Sequence, residues 1–67
     1  MIRVTVNNAE RQLPEAATIV AMLEQLQFDP RRVAVEVNRN VIPRAQHTEH
    51  RLTTGDQIEI VTLVGGG

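Results

Sequence analysis

The sequence predicts an α+β fold: a mixed sheet of four or five strands with one main helix lying across one face. Three observations predict it. Short runs of alternating valine and isoleucine recur at Ile2–Val6, Val33–Val37 and Gln57–Val64. A single stretch, Ile19–Leu26, carries helical spacing. The chain has 67 residues, which leaves room for one core and one layer of helix over it.

The elements are taken in chain order. Ile2, Val4 and Val6 alternate with Arg3, Thr5 and Asn7, the period of a strand buried on one side. Asn7-Asn8 comes next, and asparagine tolerates the positive φ that a tight hairpin turn requires. Glu10 to Leu13 then pairs back antiparallel until Pro14 ends the ladder. Thr18 is placed to cap a helix, its hydroxyl accepting from a first-turn amide. Ile19, Met22, Leu23 and Leu26 fall at i, i+3, i+4 and i+7 on one helical face. Asp29-Pro30 is the expected stop for a helix of about nine or ten residues, because the residue before proline is pushed out of the α region.

Val33, Val35 and Val37 form the next strand, and Asn38-Arg39-Asn40 reads as a turn. Val41-Ile42 is a short extended piece before Pro43, which suits an edge because it lacks an amide donor. Arg44 to Arg51 has no period and room for one helical turn. Thr54-Gly55-Asp56 turns into the last strand, expected over Gln57–Val64.

A hairpin, a helix and further strands bury best as one sheet, with the first and last strands parallel at its centre and a right-handed crossover. This is the ubiquitin-like β-grasp arrangement. Ile2, Val4, Val6, Val35, Val37, Leu52, Ile58 and Ile60 are expected to face the helix. Val61 and Leu63 then point to the opposite face of the last strand, where one helix cannot cover them. The expected division is a domain over 1–64 and a flexible glycine tail over 65–67.

Composition narrows the function. Cysteine and serine are absent, which removes thiolate chemistry, cysteine metal sites and the commonest hydroxyl nucleophile. A domain this small buries only about 60% of its unfolded surface and has little room for an enzyme cleft. The net charge is −1 with no basic stripe and one aromatic residue, Phe28, so nucleic-acid binding is not expected. No stretch approaches the roughly 20 apolar residues of a membrane span, and a cleaved signal peptide is not expected. A cytoplasmic protein without membrane association is expected. His47, Glu49 and His50 invite a metal reading, but two imidazoles fall short of the three or four ligands zinc takes. A solvated loop is the expectation there. No phosphate loop and no paired carboxylates are evident, so no internal catalytic residue is assigned.

One feature carries reactivity: the run Val64-Gly65-Gly66-Gly67. Glycine has no Cβ, so such a thread is thin, and four extended residues reach about 13 Å. The terminal carboxylate becomes an electrophile once joined to a phosphate leaving group as an acyl-adenylate, and then accepts sulfur or an amine. Fraying of an idle tail is the alternative reading of the same residues.

The sequence resembles the thiamin-biosynthesis sulfur carriers, the ThiS family, in Asn38-Arg39-Asn40-Val41-Ile42-Pro43-Arg44. It does so again in Gly55-Asp56-Gln57-Ile58-Glu59-Ile60-Val61 leading to Val64-Gly65-Gly66-Gly67. The resemblance implies that the Gly67 carboxylate is adenylylated by a ubiquitin-activating-like adenylyltransferase that uses ATP and magnesium. It implies conversion to a thiocarboxylate with sulfur drawn from cysteine through a desulfurase or sulfurtransferase, and delivery to thiazole synthase. Gly66 and Gly67 carry over as the functional terminus and Gly65 as a spacer. Val61, Leu63 and Val64 are the candidate docking residues. The chain is then a protein cosubstrate with no bound cofactor. Molybdopterin synthase small subunits share this fold and terminus and are the second reading; a ubiquitin-like binding domain with an idle tail is the third. His47 stands where family members often carry an aromatic residue.

Overall fold

The computed structural model describes residues 1–63. The strands are β1 (Ile2–Val6), β2 (Ala9–Leu13), β3 (Val33–Val37), β4 (Asn40–Val41) and β5 (Gln57–Thr62), with one helix, α1 (Ile19–Gln25). They form a five-stranded sheet in the order β2-β1-β5-β3-β4. β1 and β5 run parallel, with Thr5 opposite Gln57 and Val6 opposite Ile58; the other pairs are antiparallel. The first and last strands therefore meet at the centre, as the pattern of the sequence predicts.

Both hairpins use two-residue turns with positive φ at both positions, Asn7 (50°) and Asn8 (69°), then Asn38 (52°) and Arg39 (71°). These are the left-handed turns whose twist matches that of the flanking strands. Asparagine is the expected residue in both. Arg39 is not, since a long side chain gains nothing from the αL region.

The inner face of the sheet packs on α1. Ile2, Val4, Val6, Val35, Val37, Leu52, Ile58 and Ile60 are buried together with Ile19, Met22 and Leu23 of the helix. Each such side chain contributes about 1.5–3 kcal/mol when fully buried, which is what holds a sheet this small together. Val33, Leu13 and Ala17 also join this core.

The helix begins as expected and ends earlier. Thr18 Oγ1 accepts from the Ala21 N–H at 3.1 Å. The carbonyls of His50 and His47 accept from the N–H groups of Ile19 and Val20, both at 3.1 Å. The first-turn amides that a helix leaves unpaired are thus satisfied by a loop distant in sequence. At the other end, Leu26 is the cap and Gln27 turns to φ 64°. The Gln27 N–H donates to Glu24 C=O at 3.1 Å and the Phe28 N–H to Leu23 C=O at 2.9 Å. That pair of bonds is a Schellman motif, and it stops the helix before Asp29-Pro30 is reached. The helix therefore has 7 residues, shorter than the pattern of apolar positions suggests.

His47 also departs from expectation. The segment after Pro43 does form one 3-10 turn, Arg44–Gln46, but His47 at its end is 1% exposed. Its Nε2 lies 2.8 Å from the Ile42 carbonyl oxygen, which can only accept, so the ring carries a proton on Nε2. Among the described residues, Nδ1 is buried without a hydrogen-bond partner. His47 is a core residue tying the β4 segment to the helix N-terminus, not part of a solvated loop.

Candidate functional site

The last strand, β5, is the element that leads toward the glycine run. It is gripped from both sides, by β1 and by β3, and two asparagine side chains lengthen that grip. Asn7 leaves the β1 ladder at the turn, yet its Oδ1 accepts from the Ile60 N–H at 2.8 Å and its Nδ2 donates to the Ile60 carbonyl at 3.2 Å. Asn38 plays a similar part at the start of the strand, where its Oδ1 accepts from the Gln57 N–H at 2.9 Å. Its Nδ2 donates to Asp56 Oδ1 at 3.0 Å. The two side chains thereby add to the pairing of the central strand at Gln57 and Ile60.

Residue parity on β5 sorts the side chains. Ile58 and Ile60 point inward and are buried, whereas Val61 is 49% exposed. Leu63, just past the strand, is 52% exposed, and its N–H still donates to the Arg32 carbonyl at 2.7 Å. On the outer face Val61 pairs with Ala34 and Glu59 with Glu36. Val41, 67% exposed, continues that face on β4 opposite Glu36. The strand end thus carries apolar side chains in the open, and Val61 and Leu63 lie where the parity of the sequence predicts. Val64, Gly65, Gly66 and Gly67 lie outside the described residues.

Charge surrounds this end of the sheet. Asp29 sits between Arg31 and Arg32, with Nε atoms 3.6 and 3.8 Å from its carboxylate. A hydrogen bond from the Arg31 backbone N–H holds the Asp29 carboxyl below its usual range against the opposing effect of desolvation, and the two guanidinium charges add to the lowering. All three side chains are solvated, so the cluster marks position and sign of charge more than stability.

A shallow hollow of about 240 Å³ lies at the opposite end of β5, lined by Thr5, Asn8, Glu36, Arg39, Gln57 and Glu59. It is remote from Leu63. Among the described residues no group of three or more metal-ligating side chains converges. The described part of the molecule offers a rigid strand, an exposed apolar end and a charged rim.

The fold and this strand end define a β-grasp domain of the ubiquitin-like class. The chain belongs to the ThiS family, whose model matches residues 3–67. It is similar to the sulfur carrier protein ThiS of Escherichia coli K12, with 29% identity over 98% of this chain and 100% of that protein. A crystal structure of the thiamine biosynthesis protein ThiS from Geobacter metallireducens superposes with a TM-score of 0.85 at 26% identity, covering 98% of this chain and 100% of the other. The chain is also 35% identical to a thiazole synthase of Paramagnetospirillum magneticum, over 98% of its own length. It spans only 20% of that longer protein.

Proposed function

We propose that this chain is a sulfur carrier of thiamin biosynthesis whose reactive group is the carboxylate of Gly67. The observation that carries the reading is that the ThiS family match runs through residue 67 and so takes in the glycine end. The names of the relatives support the pathway, one a sulfur carrier and another a thiazole synthase.

The chemistry is that of a carboxylate. A Gly67 carboxylate oxygen attacks the α-phosphorus of ATP, and pyrophosphate leaves. Sulfur at the sulfide oxidation level then attacks the acyl carbon, and AMP departs with the oxygen that had joined them. The product is a thiocarboxylate, a better nucleophile than the carboxylate it replaces, which donates its sulfur to thiazole formation. The chain is a cosubstrate in this scheme. A ubiquitin-activating-like adenylyltransferase handles ATP and magnesium, and a cysteine desulfurase or sulfurtransferase supplies sulfur as a persulfide, which a thiol reductant brings to the sulfide level while itself becoming a disulfide; thiazole synthase receives the sulfur.

The division of labour suits the molecule. Val61, Leu63 and Val64 are the docking contacts, and Gly65 and Gly66 are the thread that enters a partner's narrow site. We place the reaction in the cytoplasm; among the described residues no helix is long and apolar enough to cross a membrane.

The test is intact-mass measurement after incubation with a matching activating enzyme, ATP, magnesium and sodium sulfide. The expected product first gains adenylate and then exchanges one oxygen for sulfur at Gly67. A chain whose mass is unchanged under conditions that thiolate a known carrier contradicts the proposal.

A further inference from the structure

The seven cationic side chains of the sequence are all arginine, and its 67 residues include neither lysine nor cysteine. Those are the side chains that capture an activated acyl group most readily, one through an amine and one through a thiolate. The aliphatic amine that remains is the α-amino group of Met1, 3.2 Å from Glu15. The sheet holds it far from the end of the last strand. β1 and β5 run parallel with Thr5 opposite Gln57, so Met1 lies four residues before that pair and Leu63 six after it. At about 3.3 Å of rise per residue the two are roughly 33 Å apart. Val64 to Gly67 span only about 13 Å when fully extended.

Cations do stand within that span. The Arg32 carbonyl accepts from the Leu63 N–H at 2.7 Å, and Arg31 immediately precedes it. The side chains of Arg31 and Arg32 are 82% and 78% exposed. A guanidinium stays protonated and supplies charge without a nucleophilic nitrogen. A lysine ammonium gives up its proton far more easily and then attacks carbonyl carbon.

We propose that Arg31 and Arg32 are specificity-determining residues, which give the reactive end positive charge while keeping it clear of any amine of its own. The inference rests on the reading that the Gly67 carboxylate is activated. An amine within reach would attack the Gly67 acyl carbon and expel AMP with the oxygen that joined them. The nitrogen would shed one proton to solvent, with no change in oxidation level. The product is an internal amide that sulfur can no longer enter. Arginine at both positions leaves the activated carboxyl to nucleophiles that a partner brings.

The experiment uses the full chain carrying Gly67 as a mercaptoethanesulfonate thioester, prepared chemically so that no activating enzyme takes part. Intact mass is followed at mildly alkaline pH for the parent, Arg32→Lys and Arg3→Lys, with amide NMR spectra to show that each is folded. The parent is expected to hydrolyse to its free acid and form no amide. Arg32→Lys is expected to close on itself, giving a product one water lighter than its acid, with peptide mapping placing the bond between residues 32 and 67. Its closed share should exceed the parent's at least about tenfold, because a short tether holds amine and acyl carbon at high effective concentration. Arg3 is eight residues' rise from Leu63, about 26 Å, beyond the combined reach of the tail and a lysine side chain. Arg3→Lys is therefore expected to hydrolyse like the parent. Arg31→Lys carries the same expectation as Arg32→Lys and replaces it if that variant does not fold.

Closure or cross-linking in the parent overturns the proposal, as does equal closure in Arg3→Lys and Arg32→Lys. So does a folded Arg32→Lys that only hydrolyses. Adenylylation by an activating enzyme is read in a separate assay, so the carrier reading and this one fail separately.

Discussion

Asn7 and Ile60 exchange two hydrogen bonds, side-chain amide to backbone, at 2.8 and 3.2 Å. Asn7 has already turned away into the hairpin at φ 50°, so its side chain takes the place of the strand residue that β1 no longer supplies. One residue thus closes the turn and holds the central strand close to its C-terminal end.

Replacing Asn7 with glycine keeps the left-handed backbone and removes only those two bonds. The expected loss is about 1–3 kcal/mol, from two bonds at roughly 0.5–1.5 kcal/mol each in a partly buried setting. Asn7→Ala should lose more, because a Cβ in the left-handed region adds about 1–2 kcal/mol of strain. Urea unfolding of the three proteins measures both terms. Equal midpoints for Asn7→Gly and the parent would mean the bonds contribute nothing.

Glu36 and Glu59 make the opposite kind of pair. With like charges directly opposite on β3 and β5, Glu36→Gln is expected to stabilise the fold by about 0.2–1 kcal/mol at low salt. The gain should shrink as ionic strength rises. Thermal melts at two salt levels check this, and a destabilised variant would show that the carboxylate is held by something other than its neighbour.

How far the sequence foretold all this varies by residue. The alternation of Ile2, Val4 and Val6, of Val35 and Val37, and of Ile58 and Ile60 reports burial on one face directly, because strand parity is local. The exposure of Val61 comes from the same parity. The helix stop did not show, since Gln27 in the left-handed region takes the place a glycine or asparagine would have advertised. The juxtapositions Glu36–Glu59 and Arg32–Leu63 depend on strand register, which pairs positions far apart in the chain and leaves no local trace. Burial of His47 was likewise invisible from periodicity, because the segment around it has none.

For His47 the structure fixes a proton. The Ile42 carbonyl requires a donor, so the ring is expected to carry a proton on Nε2. Long-range ¹⁵N NMR correlations distinguish the tautomers at neutral pH. A proton on Nδ1 instead would mean that the ring is turned over and that the contact with Ile42 is of another kind.

Gly66 should tolerate no bulk if the tail is threaded into a narrow channel. Gly66→Val adds a branched Cβ that also disfavours positive φ, and adenylylation is expected to slow by at least about tenfold, or roughly 1.4 kcal/mol of barrier. The melting temperature is expected to stay unchanged. Pyrophosphate release with a matching activating enzyme reads the rate, and unchanged turnover would remove the threading step from the scheme.

The most direct measurement traces the oxygen atoms. The chain is prepared with both Gly67 carboxylate oxygens as ¹⁸O and carried through activation and sulfur transfer. If the Gly67 carboxylate is the group activated, each thiocarboxylate formed releases AMP bearing one ¹⁸O, and the other label stays on the protein. AMP free of label, with sulfur found elsewhere on the chain or nowhere, would contradict a carrier that works through its C-terminal carbonyl.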